Sequence, residues 1–538
     1  MSQRIYILVL IFVLLTANAC TQQSTIPVTT VPMSTQPSDP DITSEATTTT
    51  EILPTSTPQP NGAPDTLGPN LEGFPEGYNP LTGQPVADPS FLDIPVLLVS
   101  ISHFPATARP QAGLSFAPYV FEFSITEGAT RFLTAFYGEF PKPEIPVKGD
   151  CNVRTGEFGQ TNLLLGNQVW LDENADGIQN PGEVGIGGIC VNLYDASGGM
   201  LRQTSTDSNG YYGFNVEPGH YIVQVLKPTW LNFTGQNVGD EKVDSDADLT
   251  TGQMDAEVSS SLLDLDAGLI PSSEVTSTPS AVMPKAQVGP VRSGRLLYAH
   301  IGAFFQDSCL IYAFASEEVL ERIPKCSFVT HEVQGGGFML GLDRMRAIAE
   351  DNARKNQNEF NYASNLYTNE PPAGGVPASQ INVHYALLNQ SGWKYDPLYQ
   401  AWLRYVDTSK PELAGILHPE VDRLTGRQLH FENVIVIFAE HEVISPTNLN
   451  IHLEQGNIEP AFLFRDGKMY QIKWSTIAGE YEQKTGLRRP IQFLNLDGTP
   501  AALKPGHTWV LIVTDFSTVK EETPGVWKVI FYPPEGSK

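Results

Sequence analysis

Residues 160–270 carry 16 Asp and Glu against 3 Lys and Arg, and this imbalance restricts how the chain can fold more than any other feature. Two like charges 4 Å apart repel by about 4 kcal/mol at an effective dielectric of 20. A compact fold must therefore hold these carboxylates apart or gather them round a cation. The run WLDENADGIQNPGE points to the second solution. Oxygen side chains stand at Asp172, Asn174 and Asp176, Gly177 follows, and Glu183 closes the run. This is the D-x-[DN]-x-[DN]-G-x5-E spacing of a calcium loop. The alternative is an acidic hairpin that binds nothing.

Such loops usually lie between two helices, but the flanks here predict strands. LLLGNQVWL upstream and GICVNLYDASG downstream are rich in branched and aromatic residues that alternate with polar ones. Turn signals at DSNG and EPGH continue the pattern, so an all-β sandwich of about a hundred residues is expected. More carboxylates follow at Asp207, Asp240, Asp244, Asp246, Asp248, Asp264 and Asp266. Calcium suits such a set because it accepts six to eight oxygens in irregular geometry. Asp207, in its Asx-type turn, fits a purely backbone role equally well.

From about Gly166 to Ile270 the segment resembles the B domain of the serine-aspartate-repeat surface proteins, a calcium-binding relative of the Cna-B sandwich. The resemblance implies an immunoglobulin-like fold. It also implies calcium ligation by Asp172, Asn174, Asp176, the carbonyl of Ile178, and Glu183, with a second site at Asp244, Asp246 and Asp266.

At 538 residues the chain is expected to hold two to four domains. Its net charge of −27 argues against nucleic acid and against charge-driven binding to an anionic membrane. Residues 1–20 read as an export signal, with Arg4, an apolar core and small residues before Cys20. The segment resembles a bacterial lipoprotein signal, which implies lipidation of Cys20 and attachment to the membrane on its extracellular side; ordinary secretion is the alternative. Residues 21–70 contain no Lys, Arg or aromatic residue and are expected to form a flexible Thr/Pro/Ser stalk. A similar run at 271–287 reads as a linker. In an exported chain the neighbours Cys309 and Cys326, and Cys151 with Cys190, are candidate disulfides, with free buried thiols as the alternative.

The remainder mixes alternating runs such as YVFEFSIT, expected as a half-buried strand, with helical patterns such as LDRMRAIAEDNARKNQNEF. The motifs ARPQAGLS, TEGATRFL and GPVRSGR stand in the order found in the YerB-like family of bacterial lipoproteins, which this part resembles. The resemblance brings no established activity. It places the acidic sandwich, 160–270, as an insertion in a host loop, which is easy when the ends of the insert lie close together. The expected architecture is an α/β or α+β N-terminal domain split into 75–145 and 288–400, the inserted sandwich, and a mostly β C-terminal domain at 407–534.

The chain has no G-x-S-x-G, no P-loop, no G-x-G-x-x-G opening a helix and no H-E-x-x-H. His418, Asp422 and His430 stand near one turn and read as polar loop residues. Arg109, Glu127, Arg131, Arg292 and Arg295, with His103 and His300 nearby in sequence, form a possible carboxylate or phosphate clamp. The alternative is an internal Arg and Glu network. Two functions follow. One is a non-enzymatic, lipid-anchored surface protein with a calcium-stabilised spacer or adhesion module, with possible cell-surface partners. The other is an envelope enzyme or binding protein for an anionic ligand.

Overall fold

The computed structural model describes residues 66–69, 74–144, 147–152, 163–272, 283–323, 326–328, 333–334, 336–356, 362, 365–454, 456, 458–485 and 491–537. Cys20, most of the expected stalk and most of the 271–287 linker lie outside them. The end of the expected stalk joins the host. Thr66–Leu67 pairs antiparallel with Leu366–Thr368, because Leu67 gives that short segment an apolar side chain to bury.

The host is organised by one large sheet. Its central strands, Leu97–Ser102, Ala129–Phe136, Tyr119–Thr126, Thr508–Thr514, Asn433–Ala439 and Ile458–Arg465, are neighbours in that order. YVFEFSIT alternates, yet it is buried on both faces rather than half-buried. Tyr119, Phe121, Phe123 and Ile125 enter one core, while Val120 faces another and Glu122 beside it is fully buried. The second face is covered by a smaller sheet carrying Gln380–Ala386, Asn389–Asp396, Ala401–Val406 and Val526–Ile530. Its Trp393, Trp402 and Trp527 pack there against Trp509 and Val434. Helix Leu297–Gly302 covers the first face with Leu297, Tyr298 and Ile301.

The two expected host domains interlock. Tyr119–Thr126 pairs in parallel with Thr508–Thr514, and Gln380–Ala386 pairs in parallel with Val526–Ile530. The boundary expected between 400 and 407 therefore falls within shared sheets. Central strands apolar on both faces, such as NVIVIFA and TWVLIVT, need covering on both sides, and strands distant in sequence supply it.

The inserted segment is a sandwich of two four-stranded sheets. Leu165, Val169, Phe214, Val191, Val223, Val225, Met254 and Leu269 form its core. Gln253–Val258 shows the sandwich pattern directly, with Met254, Ala256 and Val258 buried between exposed neighbours. Its first and last strands, Leu163–Leu171 and Ala267–Pro271, run parallel. Residues 163 and 271 are thus offset by about ten residues, or roughly 30 Å at 3.3 Å per residue. The entering chain closes this gap. Lys148 bridges to Gly187 and Cys151 is disulfide-bonded to Cys190, at the end of the sandwich where Trp170 meets Gly185 and the last strand leaves. A second disulfide joins Cys309 to Cys326.

Candidate metal centre

The D-x-N-x-D-G loop leaves the first strand of the sandwich, which buries Asp172 at its end. Asp172 Oδ2 accepts hydrogen bonds from Gly177 N at 2.9 Å and Thr234 Oγ1 at 2.5 Å. Gly177 has φ +81°, a conformation that favours glycine, and this lets its N–H turn back onto Asp172. Asp172 Oδ1 is buried with no donor. The remaining loop oxygens hold one another through the backbone. Asn174 Oδ1 accepts from Asp176 N, Asp176 Oδ1 from Ile178 N, and Asp176 Oδ2 from the amides of Asn174 and Asn180. Glu183 accepts from Glu173 N and Asn180 N. The Asn180 hydrogen bond, aided by Ile178 N, keeps Asp176 below the usual carboxylate range. Burial, with Asp172 and Asp176 nearby, pushes Glu183 up.

A second acidic group lies at the other expected site. Asp266 is fully buried and holds Gln168 N and Asn167 Nδ2, while Asp246 Oδ2 accepts from Asp266 N at 2.6 Å. Burial pushes Asp246 up to about 7, with Asp244, Glu241 and Asp264 adding repulsion. Burial also raises Asp266 strongly. Asp244 is buried, and its Oδ1 has no partner. Glu241 and Asp264 belong to this group but were not expected in it; both are raised by burial first. The alternation of LDLDAG carried that signal for Asp264. Thr234, just past the separate strand Leu231–Phe233, carried none for Asp172.

As they stand, no three Asp, Glu, His or Cys side chains among the described residues are drawn close enough to hold an ion. The donor set nevertheless fits a hard cation. Two buried carboxylate oxygens, Asp172 Oδ1 and Asp244 Oδ1, lack any donor, and an unpaired buried charge is costly unless something positive meets it. Asp207 takes the backbone role. Its Oδ1 caps Asn209 N and Tyr211 N, and its Oδ2 accepts from Tyr399 Oη of the host. Tyr211 and Tyr399 stack with ring centroids 4.0 Å apart.

The calcium-loop segment also faces the host across a cavity of about 610 Å³. Gln179–Gly182 and Val243 line one side, and Phe91, Phe116, Phe140, Glu139 and His507 line the other. Lys142 Nζ donates to Gly182 O at 3.1 Å. Burial lifts Glu139 to about 6.

The arginine group divides. Arg109 leaves it, donating to the Asp407 carbonyl at 2.5 Å and to His103 Nε2 at 2.8 Å. Glu127 is exposed at the hairpin turn with φ +50°, and His300 lies beside His452. Arg131, Arg292 and Arg295 remain mutually repelling neighbours. Asp422 is occupied by the amides of Gly113, Ser115 and Leu424, and His430 is half-buried against Tyr399.

Residues 163–269 match the SdrD B-like domain, and residues 381–510 match the C-terminal domain of a protein of unknown function, DUF3048. The chain is 41% identical over 100 residues to a fibrinogen-binding protein of Staphylococcus epidermidis, covering 18% of this chain and 9% of that protein. It is 41% identical over 97 residues to serine-aspartate repeat-containing protein I of Staphylococcus saprophyticus, covering 17% and 5%. These matches thus span less than a tenth of the relatives' own length. Among solved structures, YerB from Bacillus subtilis aligns over 81% of this chain and 97% of its own, with 16% identity and a TM-score of 0.41. The chain therefore carries an SdrD B-like domain within a host that ends in a DUF3048 C-terminal domain.

Proposed function

We propose that this chain is a lipid-anchored surface protein without enzymatic activity, displaying a calcium-stabilised SdrD B-like module as a spacer or adhesion element. The buried, donorless Oδ1 atoms of Asp172 and Asp244 carry the calcium reading. When bound, calcium supplies positive charge where carboxylates otherwise repel. Asp172, Asn174, Asp176, the Ile178 carbonyl and Glu183 would hold one ion, and Asp244, Asp246 and Asp266 a second. The surface role rests on the likeness of this module to part of proteins named for fibrinogen binding and for serine-aspartate repeats. Cys20 would supply the anchor, and possible partners are cell-surface ligands.

Calorimetric unfolding of the chain in calcium and in chelator tests the metal reading. One transition should move to higher temperature in calcium; coincident traces would remove calcium from the proposal. Labelling with a palmitate analogue, and its loss in Cys20→Ala, tests the anchor.

A further inference from the structure

Elsewhere among the described residues, buried and half-buried arginines of the host meet carboxylates, Arg109 with Asp407 at 3.4 Å among them. Arg404 lies 3.2 Å from Glu122 and 2.5 Å from Glu420. Arg465 meets Asp466 at 2.6 Å, and Arg427, less deeply placed, meets Glu144 at 2.5 Å. With 60 acidic residues against 33 basic ones, such partners are plentiful.

Arg131, Arg292 and Arg295 break this habit. Arg131 is 2% exposed, on a strand between Phe123 and Ser102. Arg292 hydrogen-bonds through its backbone to Ser100 O on the neighbouring strand. Arg295 follows three residues later, ahead of the helix that brings in Tyr298. Among the described residues no carboxylate forms an ion pair with any of the three, and the Nε of each is buried without a partner. The neighbouring polar atoms are neutral and already engaged. Ser100 Oγ donates to Ser293 O at 3.2 Å and lies 2.6 Å from Tyr298 Oη, and the same carbonyl receives Arg131 Nη1 at 3.4 Å. Arg292 is half-buried and donates to Gly336 O, so the group opens to solvent on that side. Burial draws Arg131 down to about 9, with Arg295 and Arg292 acting in the same direction and Tyr298 opposing.

Three guanidinium forks held together without a counter-ion are built for an anion with several oxygens. We propose that Arg131, Arg292 and Arg295 form an oxyanion site that takes a phosphoryl group, either free phosphate or a phosphate ester such as a glycerophosphate headgroup. Arg109 and Glu127 have no part in it. The site is independent of the calcium module.

Titration calorimetry of the whole chain at constant ionic strength tests this, with inorganic phosphate, glycerol 1-phosphate and acetate as probes. Saturable binding of at least one phosphate probe is expected, weakened roughly tenfold or more in Arg292→Gln/Arg295→Gln and unchanged in the exposed control Arg344→Gln. Tighter binding of glycerol 1-phosphate identifies an ester ligand, and tighter binding of inorganic phosphate identifies the free ion. Should the double variant fail to fold, Arg292→Lys/Arg295→Lys keeps the charge, loses the forks and should still weaken binding. No saturable heat with either phosphate probe, or equal binding in the variants, overturns the assignment.

Discussion

Arg404 and Glu122 face each other at 3.2 Å, both wholly buried, on strands that come from opposite sides of the inserted domain. The guanidinium also lies 4.1 Å from the Trp509 ring and 4.9 Å from Trp393. Trp509 Nε1 and Thr130 Oγ1 donate to the Glu122 carboxylate. Arg404 also meets Glu420 at 2.5 Å, so removing the arginine leaves two buried carboxylates without their cation, at about 3 to 5 kcal/mol. Arg404→Met should therefore lower the host's unfolding free energy by that much, read from its denaturant midpoint. The double replacement Glu122→Leu/Arg404→Met should cost less than the sum of the single changes; additive losses would show that the pair is not coupled.

Histidine burial makes the host sensitive to acid. His441 Nδ1 donates to Ala439 O at 2.8 Å, which leaves Nε2 as a buried acceptor with no donor. Burial draws His441 and His430 down to about 4. Between that value and the ordinary 6.5, the unfolded chain binds protons that the folded one refuses. Stability is then full above about pH 6.5 and falls as pH drops towards 4, by about 1.4 kcal/mol per histidine per pH unit. Urea midpoints of His441→Gln and the parent between pH 7 and 4.5 should diverge, the variant showing the shallower slope. Parallel slopes would discount His441.

The calcium response should separate two aspartates that look alike in sequence. Asp172→Asn removes the buried charge that awaits a cation and should abolish most of the stabilisation, which is about 2.7 kcal/mol at a hundredfold excess over Kd. Asp207→Asn should keep the calcium shift while loosening the turn that meets Tyr399. Thermal scans of both variants with calcium and chelator decide this; loss of the shift in Asp207→Asn would return Asp207 to the ligand set.

Cys151–Cys190 closes a loop of 39 residues, worth about 4 kcal/mol through restriction of the unfolded chain. Cys151→Ser should lower the melting temperature of the inserted module and leave the host transition in place. A shift in the host transition alone would mean that the bond serves the junction rather than the sandwich.

The sandwich was legible because it needs little from afar. The strand alternation and the DSNG turn are local patterns, and the structure follows them. The host was legible in its pieces but not in their assembly. Nothing in YVFEFSIT announces that Thr508–Thr514 lies beside it or that Glu122 awaits Arg404, since such pairings depend on residues hundreds of positions away. The same limit applies to the sites. The loop's oxygen side chains could be read by spacing, whereas Thr234 on Asp172, and the departure of Arg109 to Asp407, follow from tertiary contact.

The parallel pairing of Tyr119–Thr126 with Thr508–Thr514 bears on how the host assembles round its insertion. The two strands meet only after the chain between them, sandwich included, has looped back, and the entropy of closing a loop rises by only about 0.6 kcal/mol for each doubling of its length. Inserting a folded module there therefore adds little to the cost of joining them.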